Sequence, residues 1–146
     1  MSLSPTAAYE VLLVDDDAAD IALISEAFTA HHATVRLHVA SDGLEALAFL
    51  RPEPGRLDAP RPDLILLDLN MPRMDGRELL AAVKSDPDLG TIPVVMFTTS
   101  NQPDDVIASY TRHANAYVTK PLDLDEFDAA INKIYNFYGE LTTRPR

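Results

Sequence analysis

Short runs of consecutive apolar residues alternate along this chain with longer stretches in which apolar residues recur every three or four positions. Val11–Val14 runs unbroken into Asp15, Leu64–Leu67 into Asp68, and Ile92–Phe97, with Pro93 inside it, into Thr98. A shorter run, Ala116–Val118, leads into Thr119 and Lys120. Unbroken apolar runs suit strands covered on both faces, as in a parallel sheet between helices. Val35–Val39 alternates apolar and polar residues instead, which exposes one face and predicts a strand at the sheet edge.

Helical periodicity fills the intervals. Ile21, Ile24 and Phe28 define a face over 18–32, with Asp16 or Asp17 placed to cap it. Leu44, Leu47 and Leu50 do the same over 43–50, and Leu79, Leu80 and Val83 over 75–85. Val106, Ile107, Tyr110 and Ala114 predict a fourth helix over 104–114; Phe127, Ile131, Ile134 and Tyr138 predict a fifth over 123–138. Five strand–helix units in succession predict an α/β fold, a doubly wound, flavodoxin-like (βα)5 parallel sheet with strand order 2-1-3-4-5. The 146 residues suit one domain, with its core over residues 10–138. Four prolines within residues 51–62 forbid regular structure there, and the polar tail after Gly139 is expected to fray.

Composition then narrows the function. The chain has no cysteine, which excludes a disulfide scaffold, Cys-ligated zinc, iron–sulfur clusters and a Cys nucleophile. Acidic residues number 23 against 12 Lys plus Arg, for a net charge of −11, which repels nucleic acid and anionic lipid. No apolar run approaches the ~20 residues of a membrane span. Residues 1–10 lack the basic and apolar segments of a signal peptide, so a soluble cytoplasmic protein is expected.

The polar residues at the strand ends carry the chemistry. In an open α/β sheet, ligands bind beyond the carboxyl ends of the strands where the strand order reverses, here between strands one and three. That point gathers Asp15, Asp16 and Asp68, with Thr98 and Lys120 alongside. Three carboxylates so close cannot all ionise cheaply without counter-charge. Lys120 offers one positive charge, and a hard divalent cation that keeps its waters and meets phosphate, Mg²⁺, offers the rest. Such a site suits phosphoryl transfer to a carboxylate, with Asp68 as candidate nucleophile, Lys120 neutralising the transferring group and Thr98 hydrogen-bonding a phosphoryl oxygen.

Four segments match one family. LLVDDD (12–17), LLDLNMPRMDG (66–76), FTTS (97–100) and YVTKP (117–121) fall in order on the expected strand ends. Together they resemble the receiver domain of two-component response regulators, over roughly Val11 to Tyr138. The resemblance implies that Asp68 is the phosphoacceptor for a partner histidine kinase, with self-catalysed phosphotransfer. It implies Mg²⁺ held by Asp15, Asp16, Asp68 and the carbonyl of Asn70, Asp16 being the more direct ligand. Thr98 and Tyr117 are the implied switch pair, Lys120 a contact to the phosphoryl oxygens, and the Lys120–Pro121 bond cis. Gly76 is expected at a backbone position with unusual dihedrals. Residues 98–127, the following IYNFY (134–138) and the proline-bearing insertion are similar to small receivers that partner phytochrome-type kinases, including bacteriophytochromes.

Rival readings meet specific obstacles. A phosphatase with an Asp nucleophile needs a second acid two residues on, where this chain has Asn70. A flavin or dinucleotide binder needs a glycine-rich loop after strand one, and none is present. The intact Asp, Thr and Lys set argues against an adaptor with a dead site. His31, His32, His38 and His113 read as surface residues, and Met71, Met74 and Met96 as packing. The chain reads as a stand-alone receiver whose output passes by protein contact through the face of helix four, strand five and helix five. On the last helix, Phe127, Ile131, Ile134, Tyr135, Phe137 and Tyr138 belong to an apolar surface of about 160°, against the ~100° a core-facing helix needs. With Tyr110 of helix four, they are the candidate surface for a homodimer contact or a kinase docking site.

One position departs from most receivers. Thr99 follows the switch Thr where Ala or Gly is usual, and its extra bulk is expected to narrow access to the phosphoryl group. Thr99→Ala should therefore shorten the half-life of the phosphorylated protein; equal half-lives for parent and variant would remove the idea.

Overall fold

Apolar runs become strands here because each has two faces to bury. The computed structural model describes residues 8–32, 34–54 and 59–141. Its strands are β1 (Tyr9–Val14), β2 (Val35–Ala40), β3 (Leu64–Leu67), β4 (Val94–Thr98) and β5 (Ala116–Thr119). All pair in parallel, in the order β2-β1-β3-β4-β5. The helices α1 (Ala18–His31), α2 (Gly43–Leu50), α3 (Gly76–Ser85), α4 (Pro103–Thr111) and α5 (Leu124–Tyr135) alternate with them. This is the doubly wound sheet that the sequence pattern predicts. No helix among the described residues is long and apolar enough to cross a membrane.

Alternate residues of the central strands split between two cores. Leu12, Val14, Ile65, Leu67, Val94 and Met96 meet Leu79, Leu80 and Val83 of α3 on one face. Val11, Leu13, Leu64, Leu66, Val95 and Phe97 meet α1 and α5 on the other, where Ile24, Phe28, Phe127 and Ile131 are buried. At roughly 1.5–3 kcal/mol per fully buried large side chain, these two layers hold the strand ends in place.

The edges are handled differently. On β2, Val35 and Leu37 pack inward but Val39 is 43% exposed. Arg36 and His38 reach across to Glu10 of β1, at 3.3 and 2.8 Å. On β5, the outward N–H of Tyr117 donates to the hydroxyl of Tyr110 on α4 at 3.1 Å, so that a side chain closes part of the open edge.

Several expectations need correction. In α2, Leu44 is 46% exposed, while Gly43 and Ala46 are buried, because Met74 fills the space beside Gly43 and only a small residue fits. The expected core face of α4 is only partly covered: Val106 is half-buried and Ala114, beyond the end of the helix, is buried, but Ile107 is 63% and Tyr110 49% exposed, and Ser109 is the buried residue of the helix. Polar contacts to α3 and to the preceding loop, described below, hold this helix in place of an apolar stripe. In α5 the reverse holds. Phe127, Ile131, Ile134 and Tyr135 are buried within the domain, so they cannot serve as a contact surface. Tyr135 stacks edge-on against Tyr9 and Phe28 and lies 4.1 Å from His32, while Phe127 meets Phe97. The wide apolar arc of α5 thus covers both the sheet and α1. His32 and His38 are half-buried rather than surface residues, bonded to Asn132 and Glu10. The chain beyond α5 continues as a π-helical turn, Asn136–Leu141, where fraying was expected after Gly139. Within 51–62, the described residues 51–54 and 59–62 form no helix or strand, as their prolines require; residues 55–58 lie outside the described residues, as does the tail from 142.

Asp42 caps α2 through the Glu45 N–H and pairs with Arg73, and Asp86 accepts the N–H groups of Asp88 and Leu89 and a bond from Arg51. Both carboxyls are held below the ordinary carboxylate range, first by the backbone donors and then by the arginines. A depressed folded-state value stabilises the fold above the unfolded value of about 3.8, and that contribution disappears as pH falls through the folded value. The urea midpoint should therefore hold at neutral pH and drop below about pH 4, with a shallower drop in Asp42→Asn; equal acid sensitivity of parent and variant would count against it.

Candidate functional site

The parallel register brings the carboxyl ends of β1, β3, β4 and β5 to one rim. Asp15 follows β1 and is 1% exposed, its N–H bonded to the Ala40 carbonyl. Asp68 follows β3, its N–H bonded to the Val14 carbonyl at 2.9 Å. Asp16 is exposed beside them. Carboxylate oxygens of Asp15, Asp16 and Asp68 lie within 4.8 Å of one another, a spacing that a single small cation can bridge. Asn70 is exposed, two residues beyond Asp68.

Lys120, 5% exposed, enters this group from the end of β5. Its Nζ donates to Asp15 Oδ2 and to Asp20 Oδ2, each at 2.7 Å, and stands 3.6 Å from Asp68 Oδ2. Burial pushes the ammonium's pKa down, but bonds to Asp15 and Asp20 and the charge of Asp68 outweigh it, so the net shift is upward. Burial also raises the carboxyl of Asp15, against the lowering effect of Lys120 and the Asp17 N–H. Four carboxylates against one ammonium leave the rim short of positive charge, which is the chemistry of a divalent-cation site with oxygen ligands.

The remaining candidates sit beside this centre. Thr98 at the end of β4 is fully buried; its carbonyl accepts the Lys120 N–H at 2.7 Å, and its hydroxyl faces the Ser100 N–H at 3.4 Å. Tyr117 of β5 is half-buried, donating its hydroxyl to the Ser100 carbonyl at 2.8 Å. The Lys120–Pro121 bond is trans, contrary to expectation. Trans is the lower-energy isomer of an X–Pro bond, and Lys120 reaches both Asp15 and Asp20 from it.

Residues 11–132 match the family model of the response regulator receiver domain. The chain belongs to this family. Response regulator Rcp1 of Synechocystis sp. is 46% identical over 135 residues, which cover 92% of either chain. A solved structure of the phosphorylated cyanobacterial phytochrome response regulator RcpA superposes with a TM-score of 0.90 at 44% identity, covering 96% of this chain and all of that one. The Mn²⁺-bound form of Rcp1 superposes at 0.87 with 45% identity, covering 94% of this chain and 99% of that one. This receiver is a two-component signalling domain, of the class phosphorylated on aspartate, and its acidic rim is of the kind that binds a divalent metal ion.

Two features of the receiver's site escape sequence reasoning. Asp20 reads only as an acid in a helical first turn, a common position, and nothing local shows that it meets a lysine 100 residues away. A chain of polar contacts is the other. Arg77 of α3 pairs closely with Asp105 in the first turn of α4, Asp105 accepts the Ser100 hydroxyl at 2.5 Å, and the Ser100 carbonyl accepts from Tyr117. This chain ties the β4–α4 loop, α3, α4 and β5 together.

Gly76 matters for space rather than for dihedrals. A Cβ there would fall 2.1 Å from the Asp68 carbonyl oxygen and 2.8 Å from Leu69 Cα, and backbone cannot yield. Its N–H also bonds the Leu69 carbonyl at 2.8 Å, which folds the 68–76 loop under the rim. Gly76→Ala should cost about 3 kcal/mol or more of folding stability, read from urea unfolding; a loss under about 0.5 kcal/mol would contradict the overlap.

Proposed function

We propose that Asp68 accepts a phosphoryl group from a partner histidine kinase of the phytochrome type. The placement of Asp68 supports this most directly: it lies among carboxylates that can hold a cation, with a buried ammonium paired at 3.6 Å from its Oδ2, just beyond hydrogen-bond range. Asp68 Oδ would attack phosphorus in line as the bond to the leaving group breaks. Asp15, Asp16, Asp68 and the Asn70 carbonyl would hold Mg²⁺, which when bound neutralises charge on the transferring group. Lys120 and the Thr98 hydroxyl would bind phosphoryl oxygens, and the domain would promote its own transfer and hydrolysis without a second acid, since Asn70 cannot act as one.

Thr98 and Tyr117 form the proposed switch. Thr98 turns its hydroxyl from the Ser100 N–H to the phosphoryl group, and Tyr117, already bonded to the Ser100 carbonyl, follows the loop inward. The output surface is then the face of α4, β5 and α5, and its proposed occupant is a second copy of this chain. Ile107, Tyr110 and Phe137 are exposed around the β5 edge, with Tyr138 half-buried behind them. Glu126 and Lys133 line one groove of about 450 Å³ along α5, together with Val118, Pro121 and Ala130. A two-fold axis across that groove would set the Glu126 of one copy against the Lys133 of the other.

Acetyl phosphate with Mg²⁺, followed by intact mass spectrometry, tests the phosphoacceptor. The parent should gain one phosphoryl group and Asp68→Asn none; an equal adduct on both would remove Asp68 from this role. Light scattering on the same samples tests the contact face: a mass of 16.0 kDa at every concentration, phosphorylated or not, would leave that face without a second copy.

A further inference from the structure

Lys120 faces three carboxylates at unequal distances: 2.7 Å to Asp15, 2.7 Å to Asp20 and 3.6 Å to Asp68. An ammonium has three N–H donors. Two of them make short charge-assisted bonds to Asp15 and Asp20, and the approach to Asp68 lies beyond hydrogen-bond range. The position of Asp20 is set by the start of α1, where the Asp17 side chain accepts the N–H groups of Ala19 and Asp20. The Asp20 side chain is 21% exposed and that of Lys120 only 3%, so a carboxylate bordering water holds a buried cation.

We propose that Asp20 is a positioning residue for phosphoryl transfer: it holds the Lys120 ammonium toward α1, so that Lys120 does not close onto Asp68 before the phosphoryl donor arrives. The proposal rests on Asp68 being the phosphoacceptor. Without the Asp20 carboxylate, the ammonium has one donor released, and Asp68 at 3.6 Å is the nearest anion it does not already bond. A closed Lys120–Asp68 pair occupies the lone pairs that must attack phosphorus and competes with the divalent cation for the same oxygen. With Asp20 in place, the Asp68 oxygen is free to form its P–O bond while the P–O bond to acetate breaks, the electron pair leaving with acetate. The third Lys120 donor is then available to a phosphoryl oxygen.

The test compares the whole chain with Asp20→Asn, Asp20→Glu and Glu26→Gln. The last removes the same charge from an exposed position further along α1. Two quantities are read: the rate constant for phosphorylation by acetyl phosphate with Mg²⁺, and Mg²⁺ affinity alone by calorimetry. Asp20→Asn should slow phosphorylation by roughly fivefold or more and weaken Mg²⁺ by roughly three- to tenfold. Glu26→Gln should stay near the parent, and Asp20→Glu should recover part of the loss. Phosphorylation of Asp20→Asn as fast as the parent or faster overturns the proposal, as does an equal effect of Glu26→Gln. If the parent itself takes no phosphoryl group on Asp68, the phosphoacceptor reading fails, and Mg²⁺ affinity alone judges Asp20: equal affinities for parent and Asp20→Asn overturn its role.

Discussion

A buried ammonium among carboxylates is the constraint on which the rest of this domain depends. Removing a lysine from water is costly, and it stays charged only where anions and hydrogen bonds compensate. Here Asp15 and Asp20 supply both, from chain positions about 100 residues away from Lys120. Only the sheet can join them. β1 must lie beside β3, and β4 and β5 must follow in register, for the four strand ends to converge. The two apolar layers that fix the strands therefore also fix the distances at the rim. Gly76 adds a local condition, since the loop after Asp68 folds back so closely that no side chain fits.

Stability is distributed unevenly around this rim. The α1 and α5 side is dense, with aromatic contacts running from Tyr9 and Phe28 through Tyr135. The α4 side is thin: one buried residue, two exposed large apolar residues, and a tether of Arg77, Asp105 and Ser100. Elements with few buried apolar contacts open at lower free-energy cost than the core. A change at Thr98 thus has one compliant direction in which to propagate, through Ser100 into α4 and Tyr117, while α1 and α5 stay fixed. That asymmetry suits a domain whose site must react to a new group without unfolding.

Much of this was legible in the sequence, and the limits have physical causes. Continuous apolar runs marked the central strands, because strands buried on both faces carry no alternation; the strict alternation of Val35–Val39 marked the β2 edge. The carboxylates stood out because each ended such a run, and Lys120 for the same reason. What failed was inference about which apolar residues meet what. The stripe of α4 reads as core-facing and the wide arc of α5 as surplus for a second contact, yet α4 is largely open and α5 enclosed, because neighbouring elements decide. Gly76 stands out in the sequence, but its reason is a close approach that only the folded backbone reveals. Nothing near Asp20 in the sequence marks it, because its partner lies across the whole fold.

The charge at the rim determines what phosphorylation must do. Asp15, Asp16, Asp20 and Asp68 against Lys120 leave three negative charges, and a divalent cation reduces these to one. Converting the Asp68 carboxylate to an acyl phosphate, which carries about −2 near neutral pH, adds roughly one negative charge back to a partly buried place. Lys120 is already bonded twice and has one donor left for the new charge. On the proposed reading the Thr98 hydroxyl at the end of β4 would supply another, leaving the Ser100 N–H that now faces it at 3.4 Å. Ser100 is also the residue that holds Asp105 and Tyr117. A rotation of Thr98 toward the phosphoryl group would therefore release a contact of the same residue that tethers α4, which is the physical link between the proposed switch and the thin side of the domain.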